Sequence, residues 1–115
     1  MTITVRAEFR AVLPENTERF AHVGRALEEA AAGEAATLRY RWYEAEDPGT
    51  FVVLEEYIDP AAAIAHNKHC DALIRQMDEV AEMTSAQLHG HLGPELEAWV
   101  ADHPQAHAYT PMQHR

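Results

Sequence analysis

The stretch FVVLEEYIDPAAAIAHNKH, Phe51 to His69, decides the reading of the whole chain. Its first eight residues, Phe51 to Ile58, are rich in β-branched and aromatic side chains and read as a strand. Asp59-Pro60 breaks that strand, because proline fixes its own φ and cannot continue a ladder of N–H donors. From Pro60 to about Ala81 the pattern is helical, in two pieces with a joint near His69-Cys70. Leu73, Ile74, Met77 and Val80 form the apolar stripe of that helix.

Working outward, Thr2 to Val12 alternates, with Ile3, Val5, Ala7, Phe9 and Ala11 apolar and Arg6, Glu8 and Arg10 between them. That is the period of a strand with one greasy face. Pro14 can open a helix, Glu15 and Glu18 suit its positive end, and Phe20, Val23, Leu27 and Ala30 recur on one side before Gly33. Thr37 to Glu46 alternates again, with Leu38, Tyr40 and Trp42 opposed to Arg39, Arg41 and Tyr43. Asp47-Pro48-Gly49 is turn chemistry, so this segment and Phe51 to Ile58 make a hairpin. Thr84 to Leu92 is the last strand of the pattern, with Ala86, Leu88 and Leu92 on one side and Ser85, Gln87, His89 and His91 on the other. The order β-α-β-β-α-β predicts an α+β, ferredoxin-like domain over 1–93, with a four-stranded antiparallel sheet and both helices on one face. Residues 94–115 add a helix from Pro94 to about Asp102 and an irregular tail, HPQAHAYTPMQHR.

The 115 residues fit one core, and 47% hydrophobic with 24% charged residues is an ordinary soluble composition. Nineteen acidic against nine basic side chains give a net charge of −10, which repels phosphate backbones and anionic membranes. Cys70 is the single cysteine, which leaves no intrachain disulfide and no zinc site built from cysteines. The N-terminal residues show no signal pattern and no run reaches membrane-spanning length, so a cytoplasmic protein is expected. No GxGxxG, GxxxxGK[ST] or GxSxG pattern occurs, and no cofactor is expected.

One choice stays open in the sequence. On the strand of Phe51–Ile58, the set Phe51, Val53, Glu55, Tyr57 and the set Val52, Leu54, Glu56, Ile58 point to opposite faces. If the second set packs on the helices, Phe51, Val53 and Tyr57 line the uncovered face. A second copy would then cover that face, and two opposed sheets would enclose a chamber.

The strand FVVLEEYID followed by PAAAIAHNKH resembles the signature region of the antibiotic biosynthesis monooxygenase family, small dimeric α+β barrels that include quinol monooxygenases. There, a segment similar to Glu55-x-Tyr57-x-Asp59 precedes an alanine-rich helix with histidines near His66 and His69. The stretch GEAATLRYRWY is similar to the family's strand after its first helix, with alanines where Pro and Gly are common. The resemblance spans about residues 1 to 93. It implies a homodimer and cofactor-independent oxygenation of a small aromatic or quinol-like molecule by dioxygen. An apolar chamber, a base and donors for an anion are the parts such chemistry needs. By its place in the motif His66 would be the base and Tyr57 an orienting donor. Glu55, His69, His89, His91, Phe51 and Trp42 are the candidates for substrate contact.

Other readings stand beside these. A non-catalytic protein of the same fold would use the chamber to bind a small hydrophobic ligand. The haem-degrading branch needs an asparagine on the first strand and a tryptophan near the end of the third, where this chain has Arg6 or Glu8 and Tyr57. A cross-strand pair with Arg39 or Arg41 would account for Glu55 without any chemistry. His89-x-His91 would need a third ligand to hold a metal, and the sequence names none. His103, His107 and His114 fall in the tail, outside the expected site.

Overall fold

The alternating segment Ile3–Ala11 forms β1, the middle of a five-stranded sheet ordered β2-β3-β1-β4-β5. The computed structural model describes residues 1–11 and 13–112. The remaining elements are α1 (Pro14–Ala32), β2 (Thr37–Glu44), β3 (Thr50–Tyr57), α2 (Pro60–His69), α3 (Asp71–Asp78), β4 (Ala81–His89), α4 (Gly93–Asp102) and β5 (Ala106–Tyr109). β1 pairs antiparallel with both β3 and β4, β2 pairs antiparallel with β3, and β5 lies parallel to β4. The architecture is the expected α+β ferredoxin-like fold, and the sheet is mixed because of the fifth strand.

Local chemistry sets the element ends. Pro14 and Pro60 occupy first-turn positions of α1 and α2, where a missing N–H costs nothing. Asp59 caps α2 by accepting from the Ala62 amide at 2.8 Å, which satisfies one of the donors a helix start leaves unpaired. The joint between α2 and α3 falls at Cys70, as the sequence pattern predicts.

The core lies between the helices and the inner sheet face. Ile3, Ala7 and Ala11 of β1 are buried there with Phe20, Val23 and Leu27 of α1 and Ala62 and Ala63 of α2. Met77 and Val80 are buried as expected, while Leu73 and Ile74 are only partly covered. An aromatic layer ties α1 to the sheet: Phe20 stacks on Phe51 at 4.3 Å and meets Trp42 edge-on at 5.1 Å, contacts that add to the area they bury. Gly24 lets Trp42 approach α1, since a Cβ there would already touch the indole at 3.5 Å.

The structure settles the open choice on β3 and corrects two expectations, the bounds of β4 and the irregular tail. Phe51, Val53, Glu55 and Tyr57 point at the helices, and Val52, Leu54, Glu56 and Ile58 face outward. Register decides this: Phe51, Val53 and Tyr57 sit opposite Phe9, Ala7 and Ile3, whose inward phase is fixed by the polar set on the other side of β1. β4 starts at Ala81 rather than Thr84 and ends at His89. A register shift at Glu8/Phe9 resets its pairing with β1, and Gly90, at φ +129, turns the chain before His91. The tail contributes β5, with Ala106 to Tyr109 beside Ala86 to His89. Four residues carry too little alternation to be read as a strand, and their order comes from hydrogen bonds such as Gly90 N–H to the Tyr109 carbonyl, 2.9 Å.

Gly90 is the tightest of these points. A Cβ there would lie 2.8 Å from the Thr2 carbonyl oxygen and 2.9 Å from Ile3 Cδ1, at a φ that side chains avoid. Gly90→Ala is expected to destabilise the fold by roughly 2–4 kcal/mol in urea denaturation. An unchanged midpoint would contradict the described packing at the end of β4.

Candidate active site

The helices do not seal the inner sheet face completely. Between them and the sheet lies a cavity of about 580 Å³, within the roughly 300–1,000 Å³ range of small-molecule sites. Its wall is largely apolar, with Val5, Val53 and Leu88 from the sheet, and one end carries Tyr40, Glu55, Tyr57 and His66. The chamber therefore lies inside a single chain. The expectation that two opposed sheets enclose it is corrected by the inward phase of β3.

His66, in the last turn of α2, is 2% exposed, and its ring sits between Tyr40 and Tyr57 with centroid distances of 4.8 and 5.6 Å. Its Nδ1 is 2.8 Å from Oε1 of Glu34, which stands between α1 and β2. The same oxygen accepts from the Thr37 hydroxyl at 2.7 Å, and Oε2 lies 2.6 Å from Nδ1 of His69. Burial works against ionisation of Glu34. Hydrogen bonds to His69, Thr37 and His66 and the nearby His66 charge outweigh it and bring the carboxyl down to about 2. An ionised carboxylate only accepts, so both facing Nδ1 atoms donate. A neutral His66 held this way has its proton on Nδ1 and an unprotonated Nε2, the arrangement in which a carboxylate fixes the tautomer of an imidazole base.

The neighbouring groups are shifted in the other direction. Burial raises the Glu55 carboxyl, against the opposing hydrogen bond from Tyr57. The Tyr57 hydroxyl donates to Glu55, and burial followed by the Glu55 charge pushes that phenol up. Tyr40 accepts from the Trp42 indole N–H at 3.2 Å, and burial keeps it a phenol as well. The wall around His66 thus offers two phenol O–H groups beside a carboxyl whose burial favours its neutral form.

Cys70 is buried directly below. Burial and the Glu34 charge push its thiol up to about 11, so it is a poor nucleophile at neutral pH. Its Sγ lies 3.8 Å from both Glu34 Oε2 and His66 Nδ1 and 4.0 Å from His69 Nδ1. Glu34, His66 and Cys70 present donor atoms within 4.8 Å of one another, a grouping able to hold a metal ion.

The sequence-derived candidates divide. His66, Tyr57, Glu55 and Trp42 all line the cavity. His69 does not; it is exposed and pairs with Glu34 from outside. Phe51 is core, stacked on Phe20. His89 lies on the exposed side of the sheet, stacked on Tyr109 at 5.1 Å, and His91 is exposed beyond the strand end, so the expected same-face pair does not form. Arg39 and Arg41 do not pair with Glu55, whose neighbour on β2 is Tyr40. In the tail, His103 lines the far end of the cavity, stacked on Trp99 at 4.0 Å; His107 is exposed, and His114 lies outside the described residues. Glu34 and Tyr40 are the residues that sequence reasoning did not single out. The available signal was GEAATLRYRWY itself, where the acid directly follows the glycine that ends α1.

A family model described as antibiotic biosynthesis monooxygenase matches residues 2–73, which include Glu34, Tyr40, Glu55, Tyr57, His66 and Cys70. No curated protein matches the sequence. Among solved structures, the chain is similar to MupZ from Pseudomonas fluorescens, with a TM-score of 0.83 and 16% identity over 99% of this chain and 93% of that one. It is also similar to Rv0793 from Mycobacterium tuberculosis (0.71, 20% identity, 82% and 98% covered) and to PA3566 from Pseudomonas aeruginosa (0.64, 23% identity, 76% and 88% covered). At these identities the likenesses establish the fold.

The raised Glu55 carboxyl has a consequence for stability. A carboxyl whose folded value lies above its unfolded one favours folding below the unfolded value of 4.5, and that contribution is lost as pH rises through the folded value. Glu55→Gln, which still accepts from Tyr57, is expected to raise the melting temperature at neutral and alkaline pH, with the gain shrinking as pH falls toward 4.5. A gain independent of pH would show that burial of the charge is not its cause.

Proposed function

The chain belongs to the antibiotic biosynthesis monooxygenase family, and from that premise we propose that its cavity takes up a small aromatic or quinol-like molecule and oxygenates it with dioxygen, without a bound cofactor. The observation that carries this reading is the Glu34–His66 pair, 2.8 Å apart, with the imidazole in the cavity wall. The carboxylate holds the Nδ1 proton, and Nε2 takes a proton from an acidic O–H or C–H of the substrate. Glu34 then stabilises the imidazolium that results.

The substrate anion is electron-rich enough to reduce dioxygen itself. The phenol hydroxyls of Tyr40 and Tyr57 are the groups placed to steady the developing charge. A new C–O bond forms on the substrate, and the second oxygen atom leaves as water with two substrate hydrogens. Where the reacting carbon is a methylene flanked by aromatic rings, it becomes a carbonyl and both of its hydrogens depart in that water. Its four-electron oxidation matches the four-electron reduction of dioxygen, so no external reductant is required. The apolar wall holds the rings and keeps bulk water from the anion.

We further assign the outer sheet face to a homodimer. Val52 and Leu54 lie there half-buried, and Tyr43 and Ile58 are exposed by 44% and 45%, an apolar area that a twofold copy would cover.

The test is oxygen uptake by chelator-treated protein against quinols, naphthols and anthrones, beside His66→Ala checked for dimerisation by sedimentation. Loss of a general base is expected to lower the rate by about 10²–10⁴-fold while the variant stays folded. A His66→Ala protein with wild-type turnover would overturn the assignment of the base. Binding of these compounds without any uptake would overturn the oxygenase and leave a ligand-binding protein.

A further inference from the structure

Four donors, a carboxylate, two imidazoles and a thiol, converge where α2 meets α3. His66, His69 and Cys70 follow the spacing i, i+3, i+4, which brings them to one side of a helix, and Glu34 reaches the same point from the end of α1. Glu34, His66 and Cys70 form the tight part of the group, and His69 adds a fourth donor, a nitrogen 2.6 Å from Glu34 and 4.0 Å from the sulfur.

The separations from the Cys70 sulfur and from the two Glu34 oxygens are near those of a tetrahedral ion. With metal–ligand bonds of about 2.0–2.3 Å, the edges of a zinc tetrahedron are about 3.4 Å between nitrogen and oxygen and about 3.6 Å where sulfur is an end. The sulfur edges here are 3.8, 3.8 and 4.0 Å. The nitrogen–oxygen edges, 2.8 and 2.6 Å, are hydrogen bonds that would open by less than about 1 Å on binding. One carboxylate and one thiolate balance two positive charges, and a thiolate with imidazoles selects zinc over magnesium or calcium. His69 is 59% exposed on its side chain and gives the ion a way in from solvent.

We propose that Glu34, His66, His69 and Cys70 form a zinc site at the α2–α3 joint. Binding expels the Sγ proton to solvent, and each Nδ1 proton leaves, to be replaced on Nε2 in the neutral ligand. The positive ion supplies the field that burial and Glu34 deny the thiol. Two of its donors, Glu34 and His66, are shared with the oxygenase reading, but metal binding by them needs no substrate. One consequence rests on that reading: zinc and Glu34 compete for the same nitrogen of His66, so a zinc-loaded chain carries its proton on Nε2 and has no base facing the cavity.

The experiment titrates the reduced full-length protein with Co2+, without substrate, and follows its absorption spectrum before displacement by Zn2+. Cys70 is the only cysteine in the chain, so a thiolate-to-cobalt charge-transfer band identifies a ligand directly. One equivalent of Co2+ with that band and the intense visible bands of a tetrahedral centre is expected, lost on adding one equivalent of Zn2+. Cys70→Ser should abolish the charge-transfer band. His69→Ala, an exposed substitution that leaves the core intact, should weaken zinc binding at least about tenfold. Cobalt bound without the thiolate band, as tail histidines alone would bind it, would overturn the proposal. So would no stoichiometric uptake, or zinc affinity unchanged in His69→Ala; none of these results depends on whether any substrate is oxygenated.

Discussion

A single carboxylate, Glu34, sits where the end of α1, the start of β2 and the last turn of α2 meet, and the chemistry of this chain depends on its staying ionised there. Burial alone would favour the acid form. Three hydrogen bonds, from Thr37, His66 and His69, reverse that preference and bring the group to about 2. The charge then orients everything beside it. It fixes which nitrogen of His66 carries the proton, pairs with His69 at the surface and adds to the burial that raises the Cys70 thiol. Removing it would leave the Nδ1 of a buried imidazole facing only the Cys70 sulfur, with no carboxylate to define its tautomer.

The sheet supplies the rest of the frame. Because β3 turns Phe51, Val53, Glu55 and Tyr57 toward the helices, one strand serves both ends of the interior: Phe51 closes the aromatic core with Phe20, and Glu55 and Tyr57 form the polar end of the cavity. The two jobs are separated by only a few residues, and the period of two keeps them on one face. The cavity between helices and sheet is consequently lined by residues of one chain.

Much of the fold was legible in the sequence because its signals are local. Alternation in β1, the prolines opening α1 and α2, and the break at Cys70 are all set by neighbouring residues. What was not legible depended on long-range pairing. The two faces of β3 are almost equally apolar, so only its register with β1 could choose between them. The His89 and His91 pair failed for a related reason, since Gly90 ends the strand through contacts with Thr2 and Ile3 at the far end of the chain. At the site, His66, Tyr57 and Glu55 lie in one continuous stretch and could be found together. Glu34 is 32 residues from His66, and nothing short of the folded chain brings them side by side. The mixed ligand set at the α2–α3 joint was hidden likewise, although its HNKHC spacing is local, because the carboxylate that completes it is not.

The most direct test of this account is the protonation of His66 itself. In protein labelled with 15N at histidine, long-range 15N–1H correlation spectra above the imidazole titration report which ring nitrogen carries the proton, and the signals absent from His66→Ala assign the residue. A protonated Nδ1 bound to Glu34 and a bare Nε2 are expected. A proton on Nε2 in the metal-free protein would contradict this, because Glu34 would then hold nothing at His66 and the cavity would have no base.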